Sequence, residues 1–317
     1  MNERDSWTCL QSQEPDSLES RLKGFTLDNR GLAYGDGFFT TMGVIDGAIL
    51  WQDYHRQRIH SHAKALQLTL DSHALLISLQ VHAQRLQQGV LKLIVTRAPQ
   101  SVRGYGFTPS ISGSQCEIWL KSTAMTIATT NQWHLPDGRS VAMSVPMQPA
   151  IAAVCLTAQI ACLPPTLAGL KSLNRLDNVM VSGELQRLKA AQLTSGKVLG
   201  GELGEGLVRD MTGNWVEGTM SNVFYQLSPH TNYPSAPNNQ ELLQWFTPPL
   251  KRSGVHGVMR AVIIDAFATS ATPIVERPLT DEDLPNLSQM FFCNAVRGVM
   301  PVNELTLLSG DKVYFTG

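Results

Sequence analysis

Apolar positions recur along this chain with two periods, one near 3.6 and one near 2, and the two kinds of segment are interspersed without strict alternation. Residues 42–45 and 49–51 are short apolar runs separated by Asp46-Gly47, which predicts a hairpin with a two-residue turn. Behind Asp53, a residue suited to capping, Tyr54, Ile59, Ala63, Leu66 and Leu70 follow near-helical spacing, and a second helix is expected over 72–88. Strands are expected at 90–96 and 117–123. The Gly- and Pro-containing stretch between them, 98–114, is long for a plain connection, and such loops often carry function. Ahead of all this, residues 1–23 predict a short edge strand preceded by a frayed tail.

The second half reads differently. Between 123 and 170 the chain breaks into short Thr-, Pro- and Ala-rich pieces with one expected strand at 140–145, which places a lobe boundary near 125–140. The division is a smaller N-terminal α/β lobe, 1–130, and a larger lobe, 131–317. An amphipathic helix is expected at 174–189. Gly196, Gly200, Gly201, Gly204 and Gly206 after it read as a flexible surface loop. A second hairpin, 206–210 with 215–227, turns at Thr212-Gly213-Asn214, and 228–240 is a polar insertion with disorder expected at its tip. A helix over 255–269, entered through Ser253-Gly254, and strands at 273–277 and 290–295 complete the sequence. The pattern as a whole is α+β, with two lobes.

Composition narrows the function. The 317 residues suffice for two cores, and 25 Lys and Arg against 26 Asp and Glu, well scattered, leave no electrostatic footprint for nucleic acid or an anionic membrane. The expected partner is a small molecule. Cys9, Cys116, Cys155, Cys162 and Cys293 form no Cys-x-x-Cys pair and read as free thiols, and the N-terminus lacks the apolar core of a signal peptide; both point to the cytoplasm.

Several chemistries lose their handle. Gly169-Leu170-Lys171-Ser172 lacks the glycine directly before the lysine of a phosphate-binding loop. His55, His60 and His62 are spaced by five and two, which places no pair one helical turn apart, so no metal is expected. There is no Gly-x-Ser-x-Gly elbow, and Cys155 and Cys162 lie among apolar neighbours as small hydrophobes do.

Four segments remain. The first is Arg30-Gly31-Leu32-Ala33-Tyr34-Gly35-Asp36-Gly37-Phe38-Phe39-Thr40-Thr41 with His55-Arg56-Gln57-Arg58; the second is Gly169-Leu170-Lys171-Ser172-Leu173-Asn174-Arg175-Leu176. The third is Glu217-Gly218-Thr219-Met220-Ser221-Asn222, and the fourth Ser253-Gly254-Val255-His256-Gly257. Each has an ordinary alternative. Arg58 alone is an arginine on a solvated helix face, Lys171 a surface lysine before a helix, Glu217 a strand-end carboxylate, and Lys92 in the strand 90–96 competes as the reactive amine.

In order and spacing these segments resemble the aminotransferase class IV family, the fold type IV pyridoxal-phosphate enzymes of D-amino-acid aminotransferase-like architecture. The resemblance implies pyridoxal 5′-phosphate as cofactor, a homodimer, Lys171 as the cofactor-bearing residue, and Thr40 or Thr41 near the chemistry. It also implies Arg58 on the phosphate, Glu217 on the ring nitrogen, Ser221 and Asn222 in the cofactor turn, and backbone N–H groups of Val255 and His256 as further phosphate donors. Within the family, Leu173-Asn174-Arg175-Leu176, the loop from Arg97 through Arg103 and Tyr105, and Asn294-Ala295 ahead of Val299-Met300-Pro301 are similar to the aminodeoxychorismate lyases. Arg103, Tyr105, Asn294 and Arg297 are then candidates for substrate contact. An aminotransferase acting on branched-chain or D-amino acids, and a non-catalytic relative, are the alternatives.

Overall fold

A computed structural model describes residues 7–11, 26–127, 131–135, 144–195, 202–228 and 244–315. The protein forms two compact units, Met1–Ile127 with Leu170–Arg175, and Ala128–Gly169 with Leu176–Gly317.

The first unit contains β1 (Trp7–Gln11), α1 (Arg30–Tyr34), β2 (Gly37–Ile45), β3 (Ala48–Ile49), α2 (Gln52–Ala65), α3 (Ser72–Leu86), β4 (Gly89–Arg97), α4 (Ile111–Ser114) and β5 (Cys116–Ala124). Its strands pair antiparallel in the order β1-β5-β4-β2-β3. Alternation decides which face is covered: Phe38, Thr40, Met42 and Val44 of β2 are fully buried, whereas Phe39 and Thr41 on the other face are only half-buried. Ile59 and Ala63 of α2 and Leu75, Leu76, Leu79 and Ala83 of α3 complete that core with Leu91, Leu93 and Val95 of β4. Each leucine-sized side chain buried there contributes about 1.5–3 kcal/mol. The β2–β3 turn places Asp46 at φ 50° and Gly47 at φ 70°, the positive pair that matches the twist of a two-residue hairpin.

Asp53 does not cap α2. The helix begins two residues earlier, at Gln52 with Trp51 as N-cap, and Asp53 lies in the first turn where its charge suits the helix dipole. α3 is capped by Asp71, whose Oδ1 accepts from the N–H groups of His73 and Ala74, both at 3.0 Å.

The outer edge of β2 is covered in two pieces. β3 pairs with Val44 and Ile45 at one end, and at the other Phe39 N–H donates to Lys171 C=O and Leu173 N–H to Gly37 C=O, both at 3.0 Å. The segment Leu170–Arg175, which a boundary near 130 assigns to the C-terminal lobe, thus packs within the first unit as an edge filler of its sheet.

The second unit holds β6 (Asn131–His134), β7 (Ser144–Met147), β8 (Ile151–Ile160), α5 (Leu176–Ser195), β9 (Leu203–Asp210), β10 (Trp215–Gly218), β11 (Asn222–Leu227), β12 (Phe246–Thr247), α6 (Val258–Phe267), β13 (Val275–Glu276), β14 (Leu287–Asn294), β15 (Gly298–Thr306) and β16 (Lys312–Tyr314). Its mixed sheet runs β13-β12-β11-β10-β9-β8-β15-β7-β6, with β14 bridging β11 and β15 and β16 on β15. β8 pairs in parallel with both β9 and β15. Trp215, Tyr225, Phe292 and Leu305 are buried in one of its cores, and Leu156, Ile160, Val181 and Leu185 in another.

Several expectations change here. β8 was hidden by alanines: Ala152 and Ala153 are buried in mid-sheet, where small residues fit between close neighbours. The glycine-rich stretch is a strand from Leu203 onward, since a Cβ on Gly204 would lie 2.7 Å from Ile151 and one on Gly206 2.5 Å from Leu156. The helix expected at 174–189 runs Leu176–Ser195 and is weakly amphipathic, burying Val181 and Leu185 while Leu176, Val179, Met180 and Leu193 are exposed. α6 starts at Val258, three residues later than expected, because Gly257 is its extended N-cap. β15 follows β14, and its Pro301 lies where the neighbouring strand changes from β7, paired at Val299, to β8, paired at Val302. Residues 140–143 of an expected strand, and 229–240 of the expected insertion, lie outside the described residues.

Candidate functional site

In the first unit Lys171 is fixed through its backbone. Its C=O accepts from Phe39 N–H at 3.0 Å, and its own N–H donates to Nε2 of His62 at 2.9 Å. The guanidinium of Arg175 closes the segment from below, donating to the carbonyls of Leu170 and Ser172 on either side of the lysine. The lysine side chain runs to the half-buried face of β2, where Nζ lies 4.6 Å from the ring centroid of Phe39. Lys92, exposed on the same face and in register with Thr41, brings a second ammonium to 5.6 Å from that ring.

Thr40 and Thr41 separate. Thr41 shares the open face with Phe39, while Thr40 points into the core and joins His55 and Arg58: its Oγ1 is 2.9 Å from His55 Nδ1 and accepts from Arg58 Nη1 at 3.4 Å. Arg58 is 8% exposed, and burial, then the charge of Arg175, lower its pKa to about 10. A guanidinium pressed in this way toward deprotonation gains from an anion. His55 is pushed down to about 3 by burial and by Arg58, so it is a neutral spacer, with Nε2 buried and unpaired.

The loop after β4 is anchored by a charged triad. Asp36 Oδ2 accepts from Arg30 Nε and from Arg97 Nε, each at 2.9 Å. Arg30 also donates to Tyr105 C=O at 2.9 Å, and Arg97 to the carbonyls of Gly113 and Leu66 at 2.7 and 2.6 Å. Arg97 is therefore structural. Arg103 and Tyr105 stay exposed on the loop, with the Tyr105 ring edge-on to Tyr34 at 5.2 Å. Gly35, at φ 64°, closes α1 where a Cβ would strike Asn174.

In the second unit Glu217 and Asn222 face each other across the β10–β11 hairpin and grip one residue. Glu217 Oε2 accepts from Val255 N–H at 2.8 Å, and Asn222 Nδ2 donates to Val255 C=O at 2.9 Å. His256 N–H donates to Gly169 C=O at 3.0 Å. Both amides, expected from the resemblance as phosphate donors, are bonded within the protein in this structure. With α6 starting at Val258, the amides of its first turn are those of Val258, Met259 and Arg260.

The hairpin turn rests on a residue that the sequence patterns did not single out. Glu205, 4% exposed, accepts from Thr219 N–H at 3.0 Å, Thr219 Oγ1 at 2.5 Å, Ser221 Oγ at 2.7 Å and Gly206 N–H at 3.0 Å. Ser221 is thus engaged in shaping the turn. Asn294 Oδ1 accepts from the N–H groups of Val296 and Arg297 and so forms the turn that leaves the Arg297 side chain exposed. Cys155 is raised to about 12 by burial and Asp281, and Cys116 to about 11 by burial, so neither is a nucleophile at neutral pH.

His62 was also missed, having been weighed only as a metal ligand. The signal was present in its position one helical turn after Arg58. Glu205 lay in a stretch set aside for its glycines, although a lone carboxylate flanked by Gly204 and Gly206 in a buried strand needs donors.

The profile of the family described as amino-transferase class IV matches residues 37–305. A Methanocaldococcus jannaschii protein, provisionally named a branched-chain-amino-acid aminotransferase, is 26% identical over 302 residues, 93% of this protein and 86% of its own length. The aminodeoxychorismate lyase of Vibrio harveyi is 22% identical over 282 residues, 88% of this protein and 87% of its own length. The crystal structure of 4-amino-4-deoxychorismate lyase from Pseudomonas aeruginosa matches with a TM-score of 0.64 at 28% identity, covering 89% of this protein and 88% of that one. The family match reaches into both units and into all four segments, and the protein belongs to class IV of the aminotransferases, enzymes of the fold type IV class with pyridoxal 5′-phosphate as cofactor.

Proposed function

We propose that this enzyme is an aminodeoxychorismate lyase, converting 4-amino-4-deoxychorismate to 4-aminobenzoate and pyruvate, a step toward folate. The observation that carries the reading is the similarity to the Pseudomonas aeruginosa lyase at 28% identity over 89% of this protein, together with the lysine segment running on as Leu173-Asn174-Arg175-Leu176.

The charged groups suit the cofactor. A primary amine at Lys171, a guanidinium at Arg58 held by a neutral hydroxyl, and a buried carboxylate at Glu217 match an aldehyde, a phosphate and a protonatable ring nitrogen. Pyridoxal 5′-phosphate, when bound, supplies the aldehyde that captures the substrate amine and the ring that withdraws electrons from the adjoining carbon. Lys171 Nζ takes the proton from the amine-bearing carbon C4 while the bond from C3 to the enolpyruvyl oxygen breaks; the oxygen leaves with the bonding pair as an enolate, which gains a proton on its methylene carbon to become pyruvate. Glu217, whose Oε2 accepts from Val255 N–H, would face the ring nitrogen of the bound cofactor. Arg58 binds the phosphate, and the first-turn amides of α6 are suited to an anion as well. Arg103 on the anchored loop and Arg297 are the candidates for the substrate's carboxylates. Thr40 supports Arg58 from the core, and Thr41, beside Lys92, is the threonine on the open face. By family precedent the enzyme works as a homodimer.

The second reading, an aminotransferase, is favoured by the 26% identity to the Methanocaldococcus jannaschii protein. The test is to supply enzymatically generated aminodeoxychorismate to cofactor-loaded protein and follow both products, with Lys171→Ala and an amino-acid plus keto-acid mixture in parallel. Equal release of 4-aminobenzoate and pyruvate, lost in the variant, is the expected result. Amino-group transfer without release replaces the lyase by the aminotransferase.

A further inference from the structure

The pairing of Ser172 with Phe38 is flanked by two ladder bonds, Phe39 N–H to Lys171 C=O and Leu173 N–H to Gly37 C=O. In a continued antiparallel ladder, residues 39 and 171 would form a closely bonded pair, and Lys171 N–H would donate back to Phe39 C=O. It donates instead to Nε2 of His62, at 2.9 Å. Two return bonds of the ladder are given up: Gly37 N–H turns to Gly35 C=O at 2.9 Å, within its own turn, whereas for Lys171 N–H an imidazole from α2 takes the place of the carbonyl.

The ring is well set for the role. His62 is 4% exposed and meets the Phe38 ring edge-on at 5.5 Å, which fixes its plane. Accepting through Nε2 puts the ring proton on Nδ1, which faces Ser61 Oγ at 3.3 Å. Ser61 in turn donates to the backbone carbonyl of Arg58 at 3.0 Å. Arg58 and His62 stand one turn apart on α2, so one stretch of helix bears both the guanidinium and the group that anchors the lysine's backbone.

We propose that His62 is a positioning residue for Lys171. It holds the lysine's peptide N–H off the ladder and sets the direction in which the side chain leaves β2's edge toward the face of Phe39. The inference rests on Lys171 being the cofactor-bearing residue. A histidine that merely filled the core would be replaceable by an apolar residue of similar size, whereas an acceptor would not. Glutamine can place its Oε1 near the position of Nε2, so His62→Gln separates acceptor from filler.

The experiment compares wild type, His62→Leu and His62→Gln by amide hydrogen exchange on the cofactor-free proteins. A parallel measurement follows the rate at which added pyridoxal 5′-phosphate is trapped on Lys171 by borohydride, located by peptide mass mapping with Lys171→Ala as blank. The expected result is about tenfold faster exchange at Lys171 and slower trapping in His62→Leu, with both restored in His62→Gln and with Phe39 exchange unchanged. If wild type is not trapped at Lys171, the reading of the lysine itself fails, whatever the exchange data show. If wild type is trapped and His62→Leu matches it, or if His62→Gln behaves as His62→Leu does, the positioning role is overturned.

Discussion

Lys171 and Glu217 are both held firmly, but at opposite ends. The lysine is fixed at its root, by His62, Phe39 and Arg175 acting on the backbone, and its amine lies 4.6 Å from the centroid of the Phe39 ring. The glutamate stands on the β10–β11 hairpin and is fixed at its tip, where Val255 N–H meets the carboxylate at 2.8 Å. The difference matches the work proposed for each. An amine that must reach a carbon and carry a proton away needs a fixed origin and a mobile end, while a charge that must stay beside one ring atom needs its end fixed.

Removing the amine should have the largest effect: Lys171→Ala is expected to lower turnover by about 10³-fold or more, measured as pyruvate release under saturating substrate. Next comes the support of the fixed end. Glu205→Leu strips the acceptor from Thr219, Ser221 and Gly206 and should destabilise the fold by about 3 kcal/mol in urea unfolding. Glu217→Gln, which keeps an acceptor for Val255 but loses the charge, should cost on the order of 10²-fold in turnover with the unfolding midpoint nearly unchanged. A larger loss of stability than of activity there would reverse the assignment of Glu217 to chemistry.

The smallest effect concerns the neutral spacer behind Arg58. His55 has its pKa lowered from 6.5 to about 3 by burial and by Arg58, so between those values the unfolded protein binds a proton that the native one does not. Stability should therefore fall as pH drops below 6.5, by on the order of 2 kcal/mol at pH 5, and the loss should flatten below pH 3. His55→Asn should remove that slope. An unchanged slope would place the titrating group elsewhere.

What could be read from the sequence follows from distance along the chain. Glu217 and Asn222 lie five positions apart on one hairpin, and Lys171 is framed by its own immediate neighbours, so their types and spacing alone mark them. The bond from His62 to Lys171 spans 109 positions and that from Glu205 to Ser221 spans 16, and no local pattern announces either partner. Strands obey the same logic. The alternating β2 and β4 were legible, because one face is buried and the other is not. β8 and β15 were missed in part because their signals were muted, by small residues in one and a proline in the other. The start of α6 at Val258 could not be judged from the motif, since the motif does not say where a helix's first free N–H falls.

The interruption of the second unit by Leu170–Arg175 bears on how the protein is made. During synthesis β1 to β5 emerge first and can pair among themselves, but the outer edge of β2 at Gly37 and Phe39 waits for residues that leave the ribosome only after β6, β7 and β8. Until then that edge is an unpaired template, and its late closure is also the event that brings Lys171 to His62. The nascent polypeptide thus seats the lysine proposed to bear the cofactor and loses its sticky edge in the same step.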